Sequence, residues 1–181
     1  EVAGASFRDF LEGKLAALPG ERPSMDDWAD HLTTLFPDVR MKRFLEMRGA
    51  DAGSFAQILA LPALWAGLLY DEQALAGALA MTADWSLAER QALRDQVPRL
   101  GLKTPFRGRS LREVGREMVG LALGGLERRA CLDREGEDER KALKPLIDAT
   151  EQGRSPADRL LEAYHGPWER DIDRIFETQS L

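Results

Sequence analysis

Apolar residues recur at helical spacing through most of this chain, and capping signals mark where the helices begin. A serine followed three residues later by a carboxylate can form a capping box, in which each side chain satisfies a backbone N–H group. We expect helices to begin at five such serines, and residues 55–81 to be helical with a break or kink at Pro62. The five serines are Ser6, Ser24, Ser86, Ser110 and Ser155.

The most apolar stretch, residues 55–70, has the composition of a membrane span but not its length. A spanning helix needs about 20 apolar residues, and Pro62 interrupts this shorter stretch. We therefore predict a helix that is buried on nearly all sides, and no membrane partner.

Residues 39–48 alternate with the two-residue period of a β-strand. One side is apolar except for Arg43, and the other side carries a carboxylate among three cations. Since no other strand is predicted, the sheet partners of this strand are expected in sequence outside the chain or in another chain, and we favour the former. The fold class is therefore mostly α with one central strand. The polar side comprises Arg40, Lys42, Phe44, Glu46 and Arg48.

Charge and cysteine content exclude some classes of protein. The formal net charge is −6, with acidic and basic residues mixed, so the basic excess of a nucleic-acid-binding protein is absent. Cys131 is the single cysteine, which rules out an intrachain disulfide and suits a reducing cytosol, so we expect a cytoplasmic protein. The chain starts at Glu1 without a signal peptide, and we expect it to begin within a longer protein.

Several segments resemble the glutamate–cysteine ligases of plants and proteobacteria. The most specific is residues 43–51, RFLEMRGAD, and residues 61–71, 82–85, 101–106 and 125–129 also look like family segments. Residues 43–51 more distantly resemble the strand and turn of the glutamine synthetase superfamily. The resemblance implies that this is the C-terminal part of an α+β ligase more than twice as long, whose missing N-terminal part supplies much of the sheet.

The resemblance also implies a reaction. The family uses ATP to convert the γ-carboxylate of glutamate into a γ-glutamyl phosphate, and the amine of cysteine then displaces phosphate. Mg²⁺ bridges the nucleotide oxygens and prefers hard oxygen ligands, so Glu46 is the candidate metal ligand. Arg48 is the candidate catalytic residue, because a guanidinium suits the charge and geometry of a transferring phosphoryl group. Strand parity agrees with these two roles.

Two further basic residues share the predicted face of Glu46. Arg40 and Lys42 either line the nucleotide cleft or lie on the surface. The basic loop of residues 99–109 either contacts phosphate or is only solvated, and we favour the solvated loop.

Three more residues are candidates for binding substrate or nucleotide. Thr33 and Thr34 precede the turn into the strand and either bind substrate or only hydrogen-bond the helix end. Asp51 either orients Arg48 or caps the next helix.

The predicted organisation has two regions. Residues 1–54 hold two helices with the metal and phosphate strand of a catalytic domain, and residues 55–181 form the helical remainder of that domain. The leading interpretation is a glutamate–cysteine ligase fragment that is inactive alone. One alternative is a related ligase that joins glutamate to another amine, and the other is a helical interaction module without catalysis.

Overall fold

The computed structural model describes residue 2 and residues 4–178, and most of this described chain is helical. It also contains two small antiparallel sheets, each of two strands. The chain divides into two compact units, the first ending at Ala50 and the second beginning at Asp51. The predicted mostly-α class is confirmed, whereas the glutamine synthetase-like fold stays a prediction.

The first unit contains two short helices and a β-hairpin. Ser6 caps α1 by accepting a hydrogen bond from the backbone N–H of Arg8, and Ser24 caps α2 in a capping box with Asp27. Both predicted helix starts are therefore confirmed. The elements are α1 (Phe7–Leu11), α2 (Met25–Thr33), β1 (Val39–Met41) and β2 (Leu45–Met47).

The prediction of a single strand over residues 39–48 is wrong, since this segment folds back on itself. β1 and β2 pair antiparallel, with Arg40 opposite Glu46, and the backbone N–H of Lys42 donates to the carbonyl of Phe44 across the turn. Arg43 broke the alternation because it lies in this turn. The hairpin lets the two halves satisfy part of each other's backbone hydrogen bonding, which a lone strand cannot do.

In the second unit, Ser54 is the N-cap of α3. The backbone N–H of Ser54 donates to Gln57 Oε1 at 2.8 Å. The helix starts predicted at Ser86, Ser110 and Ser155 are confirmed by capping boxes. Its α-helices are α3 (Phe55–Leu69), α4 (Glu72–Thr82), α5 (Leu87–Leu100), α6 (Leu111–Arg129), α7 (Lys144–Gln152), α8 (Pro156–His165) and α9 (Arg174–Thr178), and its strands are β3 (Pro105–Phe106) and β4 (Arg109–Ser110).

Helix α3 differs from its prediction in two ways. It continues through Pro62, and the chain breaks instead at Tyr70 and Asp71, where the Asp71 side chain caps α4. It is also not buried on nearly all sides, since Phe55, Ile58 and Leu59 keep 67%, 48% and 47% of their surface exposed. Among the described residues, no helix combines the length and apolarity needed to cross a membrane.

The core of the second unit depends on a very close approach of α3 and α6. A Cβ atom at Gly67 would lie 2.3 Å from the carbonyl oxygen of Ala122, and one at Gly125 would lie 1.9 Å from that of Gly67. Only glycine allows two backbones this close. The buried cluster around the crossing consists of Ala63, Leu68, Ala122, Leu126 and Leu143.

A salt bridge joins the start of α4 to the end of α6. Two guanidinium nitrogens of Arg128, Nε and Nη2, donate to the Asp71 carboxylate at 2.9 and 2.6 Å. The Arg128 hydrogen bond, together with the capping bond from the Ala74 N–H, lowers the pKa of Asp71 to about 2. The same carboxylate therefore caps one helix and anchors another.

The α3–α6 crossing predicts that Gly125→Ala destabilises the chain. The added methyl group would overlap the Gly67 carbonyl oxygen, so the helices must separate at a cost of at least about 2 kcal/mol. Chemical denaturation followed by circular dichroism measures this loss. Gly120→Ala is the matched control on the same helix, because a Cβ there meets nothing within 4 Å, and it should stabilise by about 0.5–1 kcal/mol. Equal stability of the two variants would contradict the close crossing.

The Asp71 salt bridge predicts a pH dependence. Because its folded pKa is depressed to about 2, its contribution is fully present above the unfolded pKa and is lost as the pH falls through the folded value. Asp71→Asn keeps a capping side chain but removes the charge. Its Tm should lie below that of the unchanged chain at pH 7, and the gap should close towards pH 2. A gap that stays constant over this range would show that the charge is not responsible.

Candidate functional site

The candidate site residues are centred on the β1–β2 hairpin of the first unit. Register places Arg40 and Glu46 directly opposite each other, so their side chains project from the same face. Nε and Nη2 of Arg40 both lie 2.7 Å from Oε2 of Glu46. The predicted shared face is therefore present for these two residues, although across two strands rather than along one.

The Glu46 carboxylate lies in a positive field. The Arg40 hydrogen bond lowers the pKa of Glu46, and the charges of Arg40, Lys42 and Arg48 lower it further, against a partial desolvation that raises it. Glu46 is thus held ionised at neutral pH. An ionised carboxylate is the form that binds a hard cation such as Mg²⁺.

Arg48 follows β2 and extends the hairpin by one hydrogen bond, since its backbone N–H donates to the carbonyl of Asp38 at 2.7 Å. Its guanidinium carbon lies 5.5 Å from the centre of the Phe36 ring. Its Nη1 is buried and has no hydrogen-bond partner among the described residues. A buried donor without an acceptor is costly, and an oxyanion would satisfy it.

The Phe36 contact was not anticipated from the sequence. Helix α2 ends at Thr33, so Phe36 lies in the segment before β1. Phe36 and Arg48 are far apart in the sequence, and they meet only because the hairpin brings the segments on either side of it together.

The remaining first-unit candidates lie around the hairpin or at the end of α2. Lys42 is exposed in the hairpin turn. The Thr33 hydroxyl donates to the carbonyl of Asp30 at 2.6 Å, and the Thr34 hydroxyl donates to that of His31 at 2.7 Å. Both threonines therefore make the helix-end hydrogen bonds that were one of the two alternatives, and a substrate role for them stays a prediction.

Asp51 belongs to the second unit, whereas the other six candidates belong to the first. The alternative in which Asp51 caps the following helix is wrong, because Ser54 occupies the N-cap position of α3. Its proposed action on Arg48 stays a prediction.

The basic residues of the loop before α6 are exposed, and two of its arginines pair with carboxylates. Arg107 donates to both Glu89 carboxylate oxygens at 2.6 and 2.8 Å and also pairs with Asp84, while Arg109 pairs with Glu117 at 2.7 Å. The Arg107 hydrogen bond, with the Ser86 cap, lowers the pKa of Glu89 to about 2. These two arginines pair with carboxylates within the unit while remaining exposed, which agrees with the favoured solvated loop. A phosphate contact by this loop stays a prediction.

The described residues contain no group of three or more His, Cys, Asp and Glu side chains that could hold a metal by themselves. Glu46 fits as a single ligand: Oε2 is held by Arg40, and no hydrogen bond among the described residues reaches Oε1. Mg²⁺ in nucleotide enzymes often takes only one or two protein carboxylates alongside water and phosphate oxygens.

Comparisons with known proteins agree with the resemblance seen in the sequence. A family model described as glutamate–cysteine ligase family 2 matches residues 6–178. Proteins named chloroplastic glutamate–cysteine ligase are 50% identical in Nicotiana tabacum, 51% in Medicago truncatula and 50% in Arabidopsis thaliana. Each match covers 98% of this chain but only 33–34% of the relative.

These names correct one expectation. The relatives are called chloroplastic, so the cytoplasmic location predicted from the single cysteine is wrong. A lone thiol excludes an intrachain disulfide, but it does not distinguish one reducing compartment from another.

The match covers nearly the whole of this chain but only part of each relative. It spans about a third of the length of the relatives it matches, and nearly all of it takes part in the match. With a family model covering residues 6–178 and identity near 50%, the chain belongs to the glutamate–cysteine ligase family.

Proposed function

We propose that this chain is the C-terminal part of an ATP- and Mg²⁺-dependent enzyme that joins the γ-carboxylate of glutamate to the amine of cysteine. This reaction is the first step of glutathione biosynthesis. The observation that carries the proposal is the hairpin itself, which presents an ionised Glu46 between cations and leaves a buried donor of Arg48 unsatisfied.

The chemistry accounts for why such a hairpin is needed. A carboxylate is a poor electrophile, so its phosphorylation must precede attack by the amine. In phosphoryl transfer the protein contributes mainly position and charge neutralisation. Glu46 would be one ligand of Mg²⁺, which would supply neutralisation of the negative charge on the nucleotide phosphates. Arg48 would donate hydrogen bonds to the transferring phosphoryl group.

The contacts of Arg40 support a role in orienting Glu46 instead of a contact with nucleotide. Both of its donors near Glu46 are directed at the same oxygen, Oε2. This arrangement fixes the carboxylate orientation and leaves Oε1 available to a cation. We therefore assign Arg40 as a positioning residue for Glu46, while Lys42, Thr33, Thr34 and Asp51 remain candidates for substrate or nucleotide binding.

The proposed site is incomplete in this chain. Glu46 does not belong to any group of three or more possible metal ligands among the described residues. The further ligands and the rest of the nucleotide site would come from the N-terminal part of the same longer polypeptide.

The roles of Glu46 and Arg48 predict that neither tolerates substitution. In the full-length enzyme, Glu46→Gln and Arg48→Ala should each lower kcat at least about 100-fold, because each removes charge from the phosphoryl-transfer step. Glutamate- and cysteine-dependent ADP formation is the measurement. Arg43→Ala, in the exposed hairpin turn, is the matched control and should keep normal turnover. Normal turnover in Glu46→Gln or Arg48→Ala would remove the corresponding role.

The positioning role of Arg40 predicts a specific defect. In the full-length enzyme, Arg40→Met should raise the Mg²⁺ concentration for half-maximal activity about 10-fold or more, the usual effect of losing a residue that orients a metal ligand. Arg43→Met should leave it unchanged. A raised KM for ATP with an unchanged Mg²⁺ requirement would instead support a direct nucleotide contact by Arg40.

Incompleteness predicts that residues 1–181 alone do not catalyse. The isolated chain, supplied with ATP, Mg²⁺, glutamate and cysteine, should form no ADP above the rate without enzyme. Circular dichroism on the same sample shows whether the helices are present. Turnover by the isolated chain would show that it contains a complete site.

A further inference from the structure

The guanidinium of Arg48 lies against the face of an aromatic ring. Its central carbon is 5.5 Å from the centre of the Phe36 ring. A cation over such a face is attracted by the electron density of the ring, and arginine makes this contact more often than lysine. Arg48 is therefore restrained by a partner that carries no charge.

A ring restrains an arginine without occupying its hydrogen-bond donors, because the contact needs no hydrogen-bond acceptor. Nη1 of Arg48 is buried and has no hydrogen-bond partner among the described residues. Arg40 and Arg128 differ, since both donate to carboxylates at 2.6–2.9 Å. An arginine that is held by a ring keeps both its charge and a free donor for an incoming oxyanion.

Two features of the chain bring the ring to Arg48. Phe36 lies in the non-helical segment between α2 and β1 and precedes Pro37, which disfavours the helical conformation for the residue before it. The backbone N–H of Arg48 donates to the carbonyl of Asp38 at 2.7 Å. This hydrogen bond joins the segment that carries the ring to the end of β2, so ring and guanidinium meet at the open end of the hairpin.

Burial does not account for an aromatic residue at position 36. The Phe36 side chain keeps 73% of its surface exposed, whereas Arg48 is half-buried. An exposed ring gains little from the hydrophobic effect. The contact with the guanidinium is therefore the interaction that a phenylalanine provides here and an aliphatic residue would not.

We propose that Phe36 is a positioning residue for Arg48 in the ligase reaction. The ring holds the guanidinium in place before the nucleotide binds, so that no reorientation is needed when charge develops on the transferring phosphoryl group. Such positioning matters because a misplacement of about 1 Å can cost about 100-fold in rate. The inference rests on the role of Arg48 proposed above and adds a residue that does not itself touch substrate.

Fluorinated phenylalanines at position 36 of the full-length enzyme test the proposal. Fluorine withdraws electron density from the ring face and changes the size of the ring little, so it weakens the attraction for a cation. The kcat should fall stepwise through the 4-fluoro, 3,5-difluoro and pentafluoro analogues, by about 10-fold over the series.

The same analogues in place of Phe176 are the matched control. Phe176 lies in α9 with 76% of its surface exposed, and its fluorination should leave kcat unchanged. A kcat that stays constant along the position-36 series, or that falls equally in both series, would overturn the proposal. Because these analogues hardly alter the shape of the ring, the test does not depend on a variant that fails to fold.

A double-mutant cycle in the full-length enzyme shows whether the ring acts through Arg48. Phe36→Leu should lower kcat about 10-fold with little change in the KM for ATP, while Phe36→Tyr keeps the ring and should stay within about 2-fold. In the Arg48→Ala background, Phe36→Leu should cost less than about 2-fold more. Equal losses in both backgrounds, or equal losses for leucine and tyrosine, would contradict the positioning role.

Failure of this inference differs from failure of the proposed function. Normal turnover in Arg48→Ala would remove the phosphoryl contact of Arg48 and, with it, the role of Phe36. A large loss in Arg48→Ala, combined with normal turnover in Phe36→Leu and in the fluorinated series, would remove the role of Phe36 alone.

Discussion

The close crossing of α3 and α6 is the constraint on which the helical unit depends. Gly67 and Gly125 let the two backbones approach until a single methyl group would not fit between them. The buried cluster of Ala63, Leu68, Ala122, Leu126 and Leu143 forms around this contact. The small residues at the crossing bury little side chain, but they let the helices pack closely. The Asp71–Arg128 salt bridge joins α4 to the end of α6.

The hairpin unit is organised on a different principle. Only Leu15 is a buried hydrophobic residue in its described part, and many of its apolar side chains remain exposed. Its order comes from local capping, from the β1–β2 pairing and from the Arg40–Glu46 contact. Since the unit buries so little apolar surface, these local contacts carry most of its order.

The two units expose different chemistry. The hairpin presents the ionised carboxylate of Glu46 and an unsatisfied guanidinium donor of Arg48. The helical unit leaves apolar side chains of α3 exposed, among them Phe55, Ile58 and Leu59.

Features that depend on neighbouring residues could be predicted from the sequence. The capping boxes at Ser24, Ser86, Ser110 and Ser155 fixed where helices begin, because cap and partner are three residues apart. Two-residue alternation placed Arg40 and Glu46 on one face in either a strand or a hairpin.

Contacts between residues distant in the chain could be seen only in the folded structure. It brought Gly67 against Gly125 and paired Arg107 with Glu89. These outcomes depend on which backbones and charges meet in space. Local sequence patterns do not contain that information, because the same glycine, proline or arginine is compatible with several partners until the fold selects one.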